Sequence, residues 1–236
     1  PAGYVPPATP QKLITTENVH VDQAMKTPQF YLMWWVLCLN VTAGIGVIGQ
    51  ASAMTQEMFH GAITPVAAAG MVGLLSLFNM GGRFFWATSS DYIGRKNTYI
   101  VFFILGIILY SIVPTTAHVG SVAGFVLCYC VIISMYGGGF STIPAYLKDV
   151  FGVRYVGAIH GRILTAWSAA GIFGPVLVNY IRQYQIDHGV AKADAYTVTM
   201  YIMAGLLFIG LLCNLAVKAV HERHHMKLQQ QAGATA

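Results

Sequence analysis

Six long stretches of this chain carry almost no charge, and most of its ionisable residues are confined to the gaps between them. The stretches cover 27–56, 61–90, 97–117, 119–147, 163–181 and 195–217. The hydrocarbon core of a bilayer is about 30 Å thick and is crossed by about 20 helical residues, so each stretch has close to that length or more. Charged residues make up 9% of the chain and apolar ones 56%, whereas a soluble domain carries roughly 25% charged residues. The pattern predicts an all-α integral membrane protein with six transmembrane helices. Residues 1–28, rich in proline and polar groups, read as a solvated linker, 29–219 as the transmembrane domain, and 220–236 as a tail.

An even number of spans puts both ends of the chain on one side. Lys12, Lys26, Arg95, Lys96, Lys148, Arg154, Arg162, Lys218, Arg223 and Lys227 fall in one set of connections, and only Arg182 and Lys192 in the other. Basic residues stay on the cytoplasmic side, so both termini are expected in the cytoplasm, with Glu57, 114–120 and 187–194 outside. The net charge of +5 therefore encodes orientation in a membrane, not a nucleic-acid partner. With Pro1 in place of a Met and no signal peptide or targeting motif, the chain reads as a piece of a longer one.

Cys38, Cys128, Cys130 and Cys213 sit inside apolar runs, where cysteine acts as a small hydrophobe, so neither disulfides nor a metal site is expected. His221, His224 and His225 share a short segment after the last span. Metal binding is one reading of them, and contact with anionic headgroups, which their position favours, is the other. Trp34, Trp35, Tyr31 and Trp86 read as interfacial aromatics. No cofactor is implied.

Arg83 is the thirteenth cation and lies inside the second span. It is eight residues before Asp91, a depth of about 12 Å at 1.5 Å per residue. A charge that deep costs at least about 2.5–3.5 kcal/mol and turns toward a cavity or a partner. All eight acids lie near membrane surfaces or outside the spans. An anionic ligand, an acid elsewhere in a larger protein, or snorkelling to the headgroups would each satisfy the guanidinium.

Glycines cluster in two spans, as Gly44, Gly46 and Gly49 in the first and Gly137, Gly138 and Gly139 in the fourth, followed there by Pro144. Irregular backbone lining a cavity and close helix packing both account for them. The two clusters lie three helices apart, which suggests two related triplets of opposite topology. Between the second and third spans, Asp91, Gly94, Arg95 and Lys96 form a tight turn. It reads either as a charge clasp between rigid helices that gates their movement, or as an ordinary basic loop.

The runs from Asn79 to Arg83 (NMGGR) and from Ser90 to Lys96 (SDYIGRK) resemble the eighth helix and following loop of the major facilitator superfamily, and specifically its oxalate/formate antiporter family. Similar likenesses lie at KTPQFY from Lys26, YGGGFSTIP from Tyr136 to Pro144, and FGVR from Phe151, continuing through Gly161 to Thr165–Trp167. The resemblance runs from about Val19 to Val217 and covers helices seven to twelve, the C-terminal half of a twelve-helix fold made of inverted three-helix repeats. It implies a secondary active transporter for small organic anions in the inner (plasma) membrane, working by alternating access against a missing N-terminal half, as an antiporter or a proton-coupled symporter. It implies that Arg83 holds the substrate carboxylate.

The chain departs from the pattern at Ala87, where glycine is usual, and at Tyr92, where a basic residue is common. The oxalate-transporting pattern also carries a lysine in the eleventh helix, and none is present around Trp167. A single midplane cation matches a monocarboxylate such as formate, lactate or pyruvate, with oxalate/formate exchange as the alternative. Arg162 is a second cation only if the fifth helix begins near Tyr155 and winds inward; otherwise it anchors to headgroups. Asn40, Gln50, Asn79, Tyr136 and Trp167, with Ser134 and Ser168, are further candidates for the site lining, or for hydrogen bonds between helices. No nucleophile, acid–base pair or metal cluster converges, so an enzyme is not expected. A purely structural bundle remains as a third class, which retention of Arg83 opposes.

Overall fold

The starts of α2 and α3 and the ends of α3 and α5 fall where the sequence supplies the chemistry. The computed structural model describes residues 13–59 and 62–226, so residues 1–12, including Lys12, the Gly61 start of the second expected span, and Lys227 with the rest of the tail lie outside the described residues. The helices are α1 Val21–Ala24, α2 Pro28–Met58, α3 Pro65–Ile93, α4 Arg95–His118, α5 Val122–Phe151, α6 Val156–Ile163, α7 Thr165–Asp187 and α8 Thr197–Ala216, with a 3-10 turn at Glu222–His224. Thr27 caps α2 and Thr64 caps α3, each accepting from a backbone N–H and followed by proline at the first helical position, where proline's missing N–H and fixed φ suit the helix. Gly94 (φ 87°) ends α3, and Gly152 (φ 84°) ends α5, in the left-handed region that glycine enters freely.

Among the described residues, six apolar helices are long enough to cross a membrane, with α6 and α7 acting together as Val156–Asp187. That span exceeds the expected 163–181, because a charged residue at a bilayer surface ends an apolar run without ending the helix. Pro114, expected in a turn, lies inside α4, and Pro144 lies inside α5.

The strongest helix contacts are α3 with α5, α2 with α7, and α4 with α8. Exchanging α2–α3–α4 for α5–α7–α8 turns the first two pairings into each other and the third into itself. This is the packing of two inverted three-helix repeats. The α4–α8 pair is pinned at both ends. Lys96 Nζ donates to the carbonyls of Leu215 (3.0 Å) and Val217 (2.7 Å), and His118 Nε2 lies 3.0 Å from Asp194 Oδ1.

Helices α2 and α5 form the interior, while α3 buries only Ala68, Met71, Leu75, Gly82 and Ser90, and α7 only Ala166, Ala170, Gly174 and Val178. The glycines of α5 lie in an unbroken helix and serve close approach. A Cβ on Gly137 would stand 2.5 Å from Asn79 Oδ1, and one on Gly138 would stand 2.7 Å from Trp86 Cβ. Of the two readings of the glycine cluster, close packing is therefore the one the geometry carries.

The expected linker does not stand free over its described part. Thr15 N and Val19 N donate to the carbonyls of Asp149 and Phe151, each at 2.9 Å, and Met226 N donates to Asn18 O at 2.9 Å. Val19, Ala24 and Thr27 are buried. The α5 C-terminus offers carbonyls that lack helical partners, and this segment satisfies them.

Candidate functional site

Arg83 lies ten residues before the Ile93 end of α3, Phe140 eleven before the Phe151 end of α5, and Trp167 eleven after Val156. At 1.5 Å per residue these depths are about 15 to 17 Å, so the three side chains share one level near mid-bilayer. Each helix presents them toward the same open face. Arg83 is exposed, Trp167 is 48% exposed, and Phe140 is half-buried between them.

Phe140 is the hub. Arg83 Cζ lies 5.8 Å from its ring centroid, and the rings of Tyr136 and Trp167 meet it edge-on at 5.3 and 5.5 Å. Ser141 Oγ donates to the Arg83 carbonyl at 3.0 Å, which fastens α3 to α5 beside the guanidinium. A cation over an aromatic ring gains about 0.5–1 kcal/mol when exposed and about 2 or more when desolvated. That orients the guanidinium without occupying its N–H donors. Among the described residues Arg83 has no salt bridge.

The other expected lining residues separate into two groups. Tyr136 and Asn79 belong with Arg83. Tyr136 is one turn before Phe140, and Asn79 is one turn before Arg83, backed against Gly137 with its buried Oδ1 lacking a hydrogen-bond partner among the described residues. Asn40 does not join them. It is buried beside Gly139 and lines a void of about 10 Å³ among Gly44, Phe102 and Tyr136, too small for more than one water. Gln50 is half-buried on α2, ten residues and so about 15 Å further along than Asn40. Ser134 accepts from Trp86 Nε1 at 3.2 Å at the α3–α5 contact. Arg162 donates to Ala158 O at 3.1 Å and lies about 140° around the helix from Trp167 at 3.6 residues per turn, so it does not enter the site.

At the Asp91 end of the bundle, the Asp91 carboxylate pairs with the Arg95 guanidinium across the Gly94 turn, and Arg95 Nε lies 3.9 Å from Asp149 Oδ2. Lys96 leaves this group to cap α8. Sequence reasoning missed Asp149 and Phe140. Phe140 carried one local signal, its position four residues after Tyr136 on a helical face.

An exposed arginine thus lies at mid-bilayer depth on one face of two inverted three-helix repeats. Residues 4–175 match the sequence model of the Major Facilitator Superfamily, and the chain belongs to that family. It is 30% identical over 167 residues to the oxalate:formate antiporter of Oxalobacter formigenes, covering 71% of this chain and 39% of that protein. It is 23% identical over 217 residues to apicoplast pyruvate carrier 1 of Toxoplasma gondii, covering 88% and 37%. Its fold matches a bacterial homologue of the human lysosomal transporter Spinster with a TM-score of 0.64 at 14% identity, over 91% of this chain and 52% of that one. The chain thus spans about two fifths of the length of the curated relatives it matches.

Proposed function

We propose that this chain is the second six-helix half of a secondary active transporter that moves small monocarboxylates by alternating access, with Arg83 binding the carboxylate. The observation that carries this reading is the guanidinium of Arg83, without a carboxylate partner among the described residues and held over Phe140 on the open face. A planar fork of N–H donors matches both oxygens of one carboxylate. Phe140 and Trp167 beside it offer an apolar wall to whatever follows the carboxylate. The unequal sorting of basic residues, ten against two, supports an orientation with the Asp91 end in the cytoplasm, and hence a plasma-membrane protein with both ends of this chain inside. The Asp91–Arg95–Asp149 group is the gating clasp of that end.

Oxalate/formate exchange is the second reading, favoured by the likeness to the oxalate:formate antiporter. The two differ in the number of cations required. Helix α7 carries no lysine, and its one arginine, Arg182, is paired with Glu57 at the far end. One cation neutralises one carboxylate, and a second carboxylate would be left without a partner in a poorly hydrated site.

The test is competition in proteoliposomes holding the full-length transporter. Unlabelled formate or pyruvate is expected to suppress uptake of labelled formate at lower concentration than oxalate does. Trp167→Lys adds an ammonium at the level of Arg83 and is expected to reverse that order. Preference for oxalate by the unmodified protein would overturn the monocarboxylate reading, and absence of uptake of any small carboxylate would leave only a structural bundle.

A further inference from the structure

Helix α5 carries Pro144 in its interior, one turn after Phe140, the ring over which Arg83 is held. In an α-helix each N–H donates to the carbonyl four residues back. Proline has no N–H, and its ring pushes against that same carbonyl, so the main-chain oxygen of Phe140 loses its helical partner. In a membrane helix such an oxygen is ordinarily satisfied by a nearby serine or threonine, a neighbouring helix or a water. Neither adjacent hydroxyl does so here. Ser141 Oγ lies 3.0 Å from the carbonyl oxygens of Arg83 and of Gly138, and Thr142 Oγ1 is buried with no hydrogen-bond partner among the described residues.

The place of this oxygen gives it a use. A helical carbonyl points toward the residue four positions on, so it lies between Phe140 and Pro144 on one face of α5. Those two residues are half-buried, whereas Thr142 and Ile143 are fully buried, so the oxygen is on the open side of the helix. The Phe140 side chain leans the other way, toward the start of α5, and leaves its own carbonyl uncovered. Two other prolines lie inside described helices, Pro114 in α4 and Pro175 in α7. Pro114 and Tyr110, whose carbonyl it frees, are both buried, and Pro175 frees the carbonyl of Gly171, one turn past Trp167 and directed away from the Asp91 end. Of the three freed carbonyls, that of Phe140 alone stands at the level of Arg83 on the open face.

We propose that the transported anion is a monocarboxylate with a hydroxyl beside its carboxylate, a 2-hydroxy acid such as lactate, whose carboxylate pairs with Arg83 and whose hydroxyl donates to the main-chain oxygen of Phe140. The proposal rests on the reading of Arg83 as the carboxylate-binding residue. Arg83 offers only donors, and the Phe140 oxygen beside it offers only an acceptor. A 2-hydroxy acid meets both. A 2-oxo acid such as pyruvate sets one carbonyl oxygen against another, and a plain acid such as propionate leaves the Phe140 oxygen unpaired, which costs more than the bond itself contributes. A site with a polar group to fill rejects an analogue lacking the matching hydrogen more strongly than an apolar pocket sorts ligands by size.

The experiment is competition for uptake of labelled formate by the full-length transporter in proteoliposomes, with unlabelled lactate, pyruvate and propionate, three acids of nearly equal size. In the unmodified protein lactate is expected to compete at about one tenth of the concentration that propionate or pyruvate needs. Pro144→Ala returns an N–H to the Phe140 carbonyl and replaces the poorest helix former by the best. It is expected to raise the lactate concentration required by about tenfold while leaving propionate where it was. The ratio of lactate to propionate is the readout, since a change in the bend of α5 that slowed transport would act on both alike. Where the variant transports too slowly to follow, the rise in Tm of the detergent-solubilised transporter with each acid gives the same ratio. Equal potency of lactate and propionate in the unmodified protein, or a lactate advantage that survives Pro144→Ala, overturns the proposal. Arg83→Gln separates it from the reading beneath. If all three acids still raise the Tm of Arg83→Gln, the reading of Arg83 fails; if none does, yet lactate and propionate are equal in the unmodified protein, only the place of the hydroxyl fails.

Discussion

Arg83→Gln is expected to abolish carboxylate uptake by the full-length transporter while leaving its insertion and abundance in the membrane unchanged. Glutamine keeps a similar reach along α3 but removes the charge and the two-pronged donor set. Truncating one partner of a buried charge pair costs roughly 2–5 kcal/mol, and each 1.4 kcal/mol is about tenfold in affinity. The loss is therefore about thirtyfold at least. Insertion is spared because a neutral side chain at this depth is less costly than a guanidinium. Arg83→Lys is expected to fall between, with uptake weakened by about ten- to a hundredfold, since an ammonium supplies a point charge but not the planar match worth about 1.5–3 kcal/mol per charged hydrogen bond. Initial rates of labelled formate or pyruvate uptake, normalised to protein in the membrane, measure both. Uptake by Arg83→Gln at the unmodified rate would place the carboxylate elsewhere.

Arg83 could be singled out from the sequence because its signal is one of cost. A lone cation eight residues inside an apolar run needs an explanation whatever its neighbours turn out to be. The spans were legible for the same reason, since bilayer thickness sets a length that apolar runs either meet or do not. Both features depend on the solvent and hardly at all on partners.

What the sequence could not supply was pairing. Glu57 and Arg182 read as separate surface charges on one face, and nothing within a few residues of either points to the other; their contact is made only when α2 packs on α7. Asn40 and Tyr136 lie at comparable depths and looked alike as candidates, yet α2 turns Asn40 toward Gly139 and away from the face that holds Arg83. Residues 13–27 failed in the opposite direction. Their proline-rich, polar surroundings read as solvated chain, but the free carbonyls at the end of α5 recruited their backbone N–H groups, and Val19 and Ala24 were buried in consequence. Composition records what side chains prefer, not which backbone groups elsewhere need partners.

The glycines give the sharpest test of how the α3–α5 contact places Arg83. A Cβ on Gly82 would overlap the Ser134 carbonyl oxygen and stand 2.6 Å from Ser134 Cα. These are backbone atoms of a buried helix, which cannot swing aside as the end of a side chain can. Gly82→Val must therefore push α3 away from α5, breaking the Ser141–Arg83 and Trp86–Ser134 hydrogen bonds. Overpacking typically costs about 1–3 kcal/mol and occasionally more, and a clash with backbone belongs at the upper end. At about 2–4 °C per kcal/mol for a domain of this size, Tm in detergent is expected to fall by roughly 6–12 °C, with uptake lost as Arg83 leaves Phe140. Gly205→Val on α8, where a Cβ meets nothing within 4 Å, should leave Tm nearly unchanged. Ser134→Ala removes the hydroxyl but none of the clashing atoms, so Gly82→Val/Ser134→Ala should be no more stable than Gly82→Val alone. Recovery of Tm in that double variant would mean that side-chain crowding sets the spacing of α3 and α5, and not the approach of one backbone to the other.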